Sequence, residues 1–220
     1  MIPLGDATRK TRRFPIATVL VILANAVVFF MELQNGEAFI QRWALVPAHV
    51  AAGKDLVTVL TAMFMHAGWV HILGNMLFFW VFAPPIEEVM RPLRFLVFYL
   101  LAGVAATFAQ VAVAPASTVP NLGASGAIAG VMGAFLVTYP RDRIRTLLIL
   151  GIFIDIEFIP AILLVGIWFA IQLFSGLAAV SQVQTGGVAY MAHVGGFVFG
   201  LITNRFFEVS RPQRGLRTTE

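Results

Sequence analysis

Two long stretches of this chain carry no formal charge. No Asp, Glu, Lys or Arg occurs between Arg94 and Arg141, and none between Glu157 and Arg205. Each gap exceeds the roughly 20 apolar residues that cross a bilayer as an α-helix. Elsewhere charge is scarce as well. Of the 220 residues 12% are charged and 59% hydrophobic, whereas a soluble domain carries about 25% charged residues. A water-facing surface cannot be made from that inventory, and the mean hydropathy of +0.87 agrees. The expectation is a polytopic membrane protein of the all-α class. Cysteine is absent, which removes disulfides, thiolate metal sites and redox pairs. The pI near 10.1 is explained by basic residues flanking apolar segments rather than by a nucleic-acid surface.

Six spans are expected, at about 15–33, 58–83, 93–114, 125–139, 158–180 and 188–207, forming one domain over 1–207. The basic residues before Phe14 and the apolar run after it suggest a signal peptide. No small-residue cleavage site follows, so the segment is expected to stay as the first helix. A loop is expected from Gln34 to about Val57. Pro84 and Pro85 should end the second span, with Glu87 and Glu88 behind them either paired with Arg91 or solvated. The fourth span, from Ser125 to Tyr139, is about 15 residues or roughly 22 Å of helix, short of a hydrocarbon core of about 30 Å. Arg141 to Arg145 must lie at one surface, so the Ser125 end stops inside the membrane beside a water-accessible cavity. Asp155 and Glu157 mark a semi-polar stretch before span five. Residues 208–220 read as a basic, disordered cytoplasmic tail. The six-span map also puts 13 of the 15 basic residues on one face, leaving only Arg42 and Lys54 on the other. Both termini are then cytoplasmic.

Several polar side chains in the apolar segments carry chemical options. Ser125 sits in Gly123–Ala124–Ser125–Gly126 at a loop-to-helix junction, where first-turn N–H groups lack intrahelical partners and carry partial positive charge. A serine there can attack a carbonyl while its own N–H holds the oxyanion; it can equally be a helix cap flanked by packing glycines. His193 lies near the start of the last span, where an ionisable group is costly and is a functional candidate by default. A hydrogen-bonded structural histidine is the competing reading. Gly126 and Gly130, like Gly196 and Gly200, are four apart and offer small faces for close approach of spans four and six. His71 and Asn75 share a helix face and can donate to an oxyanion or simply bond another helix. His66, five residues before His71, should face elsewhere. His49 reads as a loop histidine, and Trp69, Trp80 and Trp168 as interfacial or lipid-facing. No acidic residue falls where it would orient His193, so a catalytic unit built from these residues is a dyad.

Taken together these residues resemble the rhomboid family of intramembrane serine proteases, from about Ala44 through Gly200. The resemblance rests on His66-x4-His71-x3-Asn75, Gly123-x-Ser125-Gly126 and Ala192-His193-x2-Gly196-x3-Gly200, in that order. It implies a six-helix bundle whose short fourth helix starts at the nucleophile, Ser125, with His193 as base. His71, Asn75 and the Ser125 N–H would form the oxyanion hole, supported by His66, Gly123, Gly126, Gly196 and Gly200. It also implies a partly embedded loop after span one, and gating of lateral substrate entry by span five and the loop after it. Two positions depart from the family: Ala129 replaces an aromatic that stacks on the histidine in some members, and Arg42 precedes Trp43 in reversed order.

The expected activity is therefore hydrolysis of peptide bonds in or near transmembrane segments of membrane-protein substrates, in contact with lipid, without metal or cofactor and without nucleic acid. A prokaryotic inner membrane is the expected location. A catalytically inactive relative that binds transmembrane clients is the alternative. A haem protein ligated by His71 and His193 would explain neither Gly-x-Ser-Gly nor Asn75. Substrate, pathway and oligomeric state are not readable from the sequence.

Overall fold

The computed structural model describes residues 1–151, 153–180 and 189–209. A short strand, β1 (Ile2–Asp6), precedes the long helix α1 (Ile16–Trp43). Two short helices, α2 (Pro47–Ala51) and α3 (Thr58–Thr61), and a 3-10 turn (Ala62–Phe64) lead to α4 (Trp69–Met90) and α5 (Pro92–Val113). Then come α6 (Ser125–Thr138), strands β2 (Arg143–Leu150) and β3 (Phe153–Pro160), and helices α7 (Ala161–Val180) and α8 (Tyr190–Phe207). Three of the helices, α1, α4 and α5, are long and apolar enough to cross a membrane; Ser125–Thr138 and Ala161–Leu177 are apolar but shorter. The chain is an integral membrane protein built mostly of helix. Of the expected disordered tail, Glu208 and Val209 are ordered, Glu208 accepting from Thr138, Asn204 and Arg205 and the Val209 N–H donating to the Val89 carbonyl; the rest of it and the loop after span five lie outside the described residues.

The all-α expectation needs correction, because β1, β2 and β3 form a three-stranded antiparallel sheet. In β3 the run Ile154-Asp155-Ile156-Glu157-Phe158 alternates apolar and acidic residues, the period of a strand rather than a helix. Gly151, at φ +62°, lies between the two hairpin strands. The fifth helix therefore starts at Ala161, not Phe158. β1 binds the hairpin's other edge, and Arg9 donates from Nε and Nη2 to both carboxylate oxygens of Asp142.

Helix boundaries differ from expectation in three further places. The first helix continues through the expected loop to Trp43, kinked at Gly36, whose backbone is left-handed. The second long helix starts at Trp69, and Pro84 and Pro85 lie inside it. Each interior proline costs about 3 kcal/mol, yet Phe82, Ala83, Ile86 and Met90 around them are fully buried, and that packing carries the helix past them. Glu87 is neither solvated nor paired with Arg91. It is buried and accepts from the N–H groups of Ala17 and Thr18 at 2.9 and 2.7 Å and from the Thr18 hydroxyl at 2.7 Å. A carboxylate on α4 thus caps the positive end of α1.

Helix α6 lies at the centre. Every residue from Gly126 to Phe135 is buried, as expected for a helix packed all round. It lies against α5 and α8 through small residues. A Cβ on Gly126 would meet the Ala106 Cβ at 2.6 Å, and a Cβ on Gly196 or Gly200 would run into the carbonyls of Gly126 and Gly130. Only glycine permits this approach of two backbones. Buried aromatics (Phe79, Phe82, Phe95, Phe98, Tyr99 and Phe135) fill the space around it.

Candidate active site

The segment before α6 is tied down by backbone pairing. Leu45 and Asn121 exchange N–H···O bonds of 3.0 and 2.7 Å, and the Gly123 N–H donates to the Ala62 carbonyl at 2.9 Å. Gly123 has φ +138°, a conformation that suits glycine, and a side chain there would meet the His71 ring at 3.0 Å. The chain thus delivers Ser125 to the first position of α6, where its N–H has no intrahelical acceptor by position.

His193 lies in the first turn of α8. The close crossing of α6 and α8 sets its Nε2 2.7 Å from the Ser125 Oγ, across 68 positions of sequence. The other ring nitrogen, Nδ1, is 2.7 Å from Oε1 of Gln172 on α7. Both side chains are buried. One turn earlier on α7, Trp168 packs on the same imidazole, with ring centroids 5.7 Å apart and planes inclined by 40°. Trp168 was expected at an interface or against lipid; its indole instead supplies an aromatic neighbour that Ala129 cannot.

His71 and Asn75 share one face of α4 and join Ser125, His193, Phe78 and Trp168 around a cavity of about 610 Å³. The Ala67 N–H approaches Nδ1 of His71 at 3.3 Å, which makes Nδ1 the acceptor and leaves the hydrogen on Nε2, beside Gly123. The Asn75 amide donates one hydrogen to the His71 carbonyl at 3.0 Å, leaving a second N–H. His66 does not share their helix. It precedes α4, and its ring stands edge-on to His71 at 5.1 Å while its N–H is held by both carboxylate oxygens of Glu32 at 3.1 Å. Behind Ser125 a second cavity of about 50 Å³ borders Gln110, whose buried Oε1 has no partner. That space is large enough for a water and offers it Gln110 and Ser125 among a mostly apolar lining.

Gln172 and Glu32 were missed in the sequence. Gln172 is a single polar residue within an apolar run and Glu32 a carboxylate at the end of one, and such residues are costly unless paired. That cost was the available signal. Glycines 123, 126, 196 and 200 all lie at close approaches around the site. Among the described residues no group of three or more His, Cys, Asp or Glu is arranged to hold a metal.

A partly buried serine–imidazole pair with N–H donors beside it, opening on a cavity among apolar helices, defines a multi-pass membrane protein with the parts of a serine nucleophile. The Rhomboid domain profile matches residues 53–208, well over half of the chain, which belongs to the rhomboid family. The putative rhomboid protease YdcA of Bacillus subtilis (strain 168) is 28% identical over 126 residues, 57% of this chain and 63% of YdcA. Rhomboid protease GluP of the same strain is 29% identical over 191 residues, 84% of this chain and 34% of GluP. The mitochondrial presenilin-associated rhomboid-like protein of Bos taurus is 30% identical over 152 residues, 65% of this chain and 36% of that protein. The aligned part of this chain thus spans between about a third and under two thirds of these relatives' lengths.

Proposed function

We propose that this protein is an intramembrane serine endopeptidase that cleaves peptide bonds in or near transmembrane segments of membrane proteins, with Ser125 as nucleophile and His193 as general base. The observation that carries the reading is the 2.7 Å contact between His193 Nε2 and Ser125 Oγ at the wall of a cavity. Two relatives bear the name rhomboid protease, which supports the same reaction class.

In the proposed reaction His193 Nε2 accepts the hydroxyl proton as Ser125 Oγ bonds to the scissile carbonyl carbon. The oxyanion faces the Ser125 N–H, the His71 Nε2–H and the free Asn75 N–H, each such donor being worth about 10²–10³ in rate. The tetrahedral species collapses with cleavage of the C–N bond, and the imidazolium returns its proton to the leaving amine. Water then attacks the acyl-enzyme with His193 again as base, and the small cavity beside Gln110 is a source of that water. Helices α1, α4, α5, α6, α7 and α8 serve as the six spans, with both termini on the basic, cytoplasmic face. The two Bacillus subtilis relatives fit the proposed prokaryotic inner membrane, while other relatives are mitochondrial.

Purified protein in vesicles is offered a model single-span substrate beside Ser125→Ala and His193→Ala. Cleavage by the unaltered protein and loss to background in both variants is the expected result. Cleavage that persists in either variant removes the assigned roles. A protein that never cleaves yet retains the substrate in the membrane would instead be a binder of transmembrane clients.

A further inference from the structure

We propose that Gln172 is a positioning residue for the base: its Oε1 holds the hydrogen of His193 on Nδ1 and so keeps Nε2 free to take the Ser125 proton. The inference rests on the protease reading, and it starts from a proton count. A neutral imidazole has one N–H and one lone pair. To accept from Ser125 Oγ, 2.7 Å away, Nε2 must present its lone pair. The hydrogen is then on Nδ1, where a buried N–H without an acceptor costs about 1–3 kcal/mol. Oε1 of Gln172, 2.7 Å from Nδ1, is that acceptor.

In other serine hydrolases a carboxylate does this work. Here none is available from the adjoining helices, because no Asp or Glu occurs between Glu157 and Arg205, the stretch that supplies α7 and the first fifteen residues of α8. A neutral amide is also the cheaper choice at this depth, since an ionised carboxylate would have to be desolvated. It selects the tautomer without adding charge, and it stabilises the imidazolium less than a carboxylate would. Trp168, four residues earlier and on the same face of α7, limits tilt of the ring through its own contact. The base is therefore aligned from α7, although it is carried by α8.

The variants are Gln172→Met, which keeps length and flexibility but removes the acceptor, and Gln172→Glu, which keeps an acceptor. They are compared with the unaltered protein and Ser125→Ala in identical vesicles. Loss of a carboxylate in the equivalent role costs about 10⁴ in kcat, so loss of a neutral acceptor should cost less. The Met variant is expected to lose about 10–100-fold in kcat at unchanged KM, and the Glu variant to stay within about threefold of the parent, an order-of-magnitude expectation. Nitrogen-15 imidazole shifts, in a chain with four histidines, read the tautomer without turnover. His193 should be Nδ1-protonated in the parent and lose that preference in the Met variant.

Full activity in Gln172→Met, or equal losses in the Met and Glu variants, would overturn the positioning role while leaving the protease reading intact. Cleavage by Ser125→Ala, or none by the parent, would instead strike the protease reading, and the tautomer spectra would still decide what Gln172 does.

Discussion

The Ser125–His193 contact depends on how closely α6 and α8 approach, and Gly200→Ala tests this. A Cβ built on Gly200 falls within 3.0 Å of the Gly130 carbonyl oxygen and carbon, which are backbone atoms of α6 and cannot swing aside. Restoring an ordinary van der Waals contact requires the helices to part by on the order of 1.5 Å. Alanine would otherwise favour the helix by about 1 kcal/mol over glycine, but overpacking costs about 1–3 kcal/mol, so a modest net loss of stability is expected. The effect on the site is larger. Helix α8 carries His193 seven residues before Gly200, and a shift of that size takes the 2.7 Å Nε2–Oγ contact beyond hydrogen-bonding distance. A misplacement of about 1 Å can cost 10²-fold in rate. Cleavage of a model substrate and thermal unfolding are measured on the same preparation, with Gly166→Ala as the control, since a Cβ on Gly166 meets nothing within 4 Å. Expected are a roughly 100-fold drop in rate with a small fall in melting temperature for Gly200→Ala, and neither change for Gly166→Ala. A Gly200→Ala protein that cleaves within threefold of the parent would refute the claim that this crossing sets the site.

Two further predictions concern the end of the molecule where α1 begins and β1 lies. Glu87→Ala leaves the Ala17 and Thr18 N–H groups and the Thr18 hydroxyl without their acceptor, so stability should fall by about 2 kcal/mol, read as a lower thermal midpoint; an unchanged midpoint would mean α1 is not capped from α4. Burial raises the Asp6 carboxyl from 3.8 to about 6, against hydrogen bonding from the Thr8 N–H. Because the folded form holds this proton more tightly than the unfolded one, its contribution is full below about pH 3.8 and is lost as pH rises through about 6. Melting curves across that interval should fall with pH in the parent and flatten in Asp6→Asn; parallel profiles would exclude Asp6 as the cause.

What the sequence made legible follows from which forces act locally. The charge gaps marked the membrane segments because a bilayer penalises charge wherever the chain enters it. The end of α6 at Thr138 fell within a residue of expectation because Arg141 and the Ser125 junction fixed both limits. Pro84 and Pro85 misled for the opposite reason: their local cost is real, and the burial that offsets it comes from residues distant in sequence. The same holds for Glu87, whose partners on α1 are about 70 positions away. The hairpin was readable in its Ile-Asp-Ile-Glu alternation, but β1 was not, since an edge strand of five residues takes its order from the strand it joins.

The site divides along the same line. Ser125 and His193 stood out because each is a reactive group in an apolar setting, whereas Gln172 is uncharged, and its place in an apolar run gains meaning by asking where the second ring nitrogen of His193 finds its partner. A membrane interior makes that question answerable. Water is scarce there, so each polar atom of a working site needs a protein partner, a cavity or a measurable penalty. Applied to the imidazole, the count closes with Ser125 on one nitrogen and Gln172 on the other. Applied to His66, the count closes less well, because its buried ring nitrogens make no well-formed hydrogen bond; its ring contact with His71 is its observed link to the site. The two histidines, five residues apart, are therefore placed differently: His71 lines the cavity beside Asn75, and His66 stands edge-on to the His71 ring behind it.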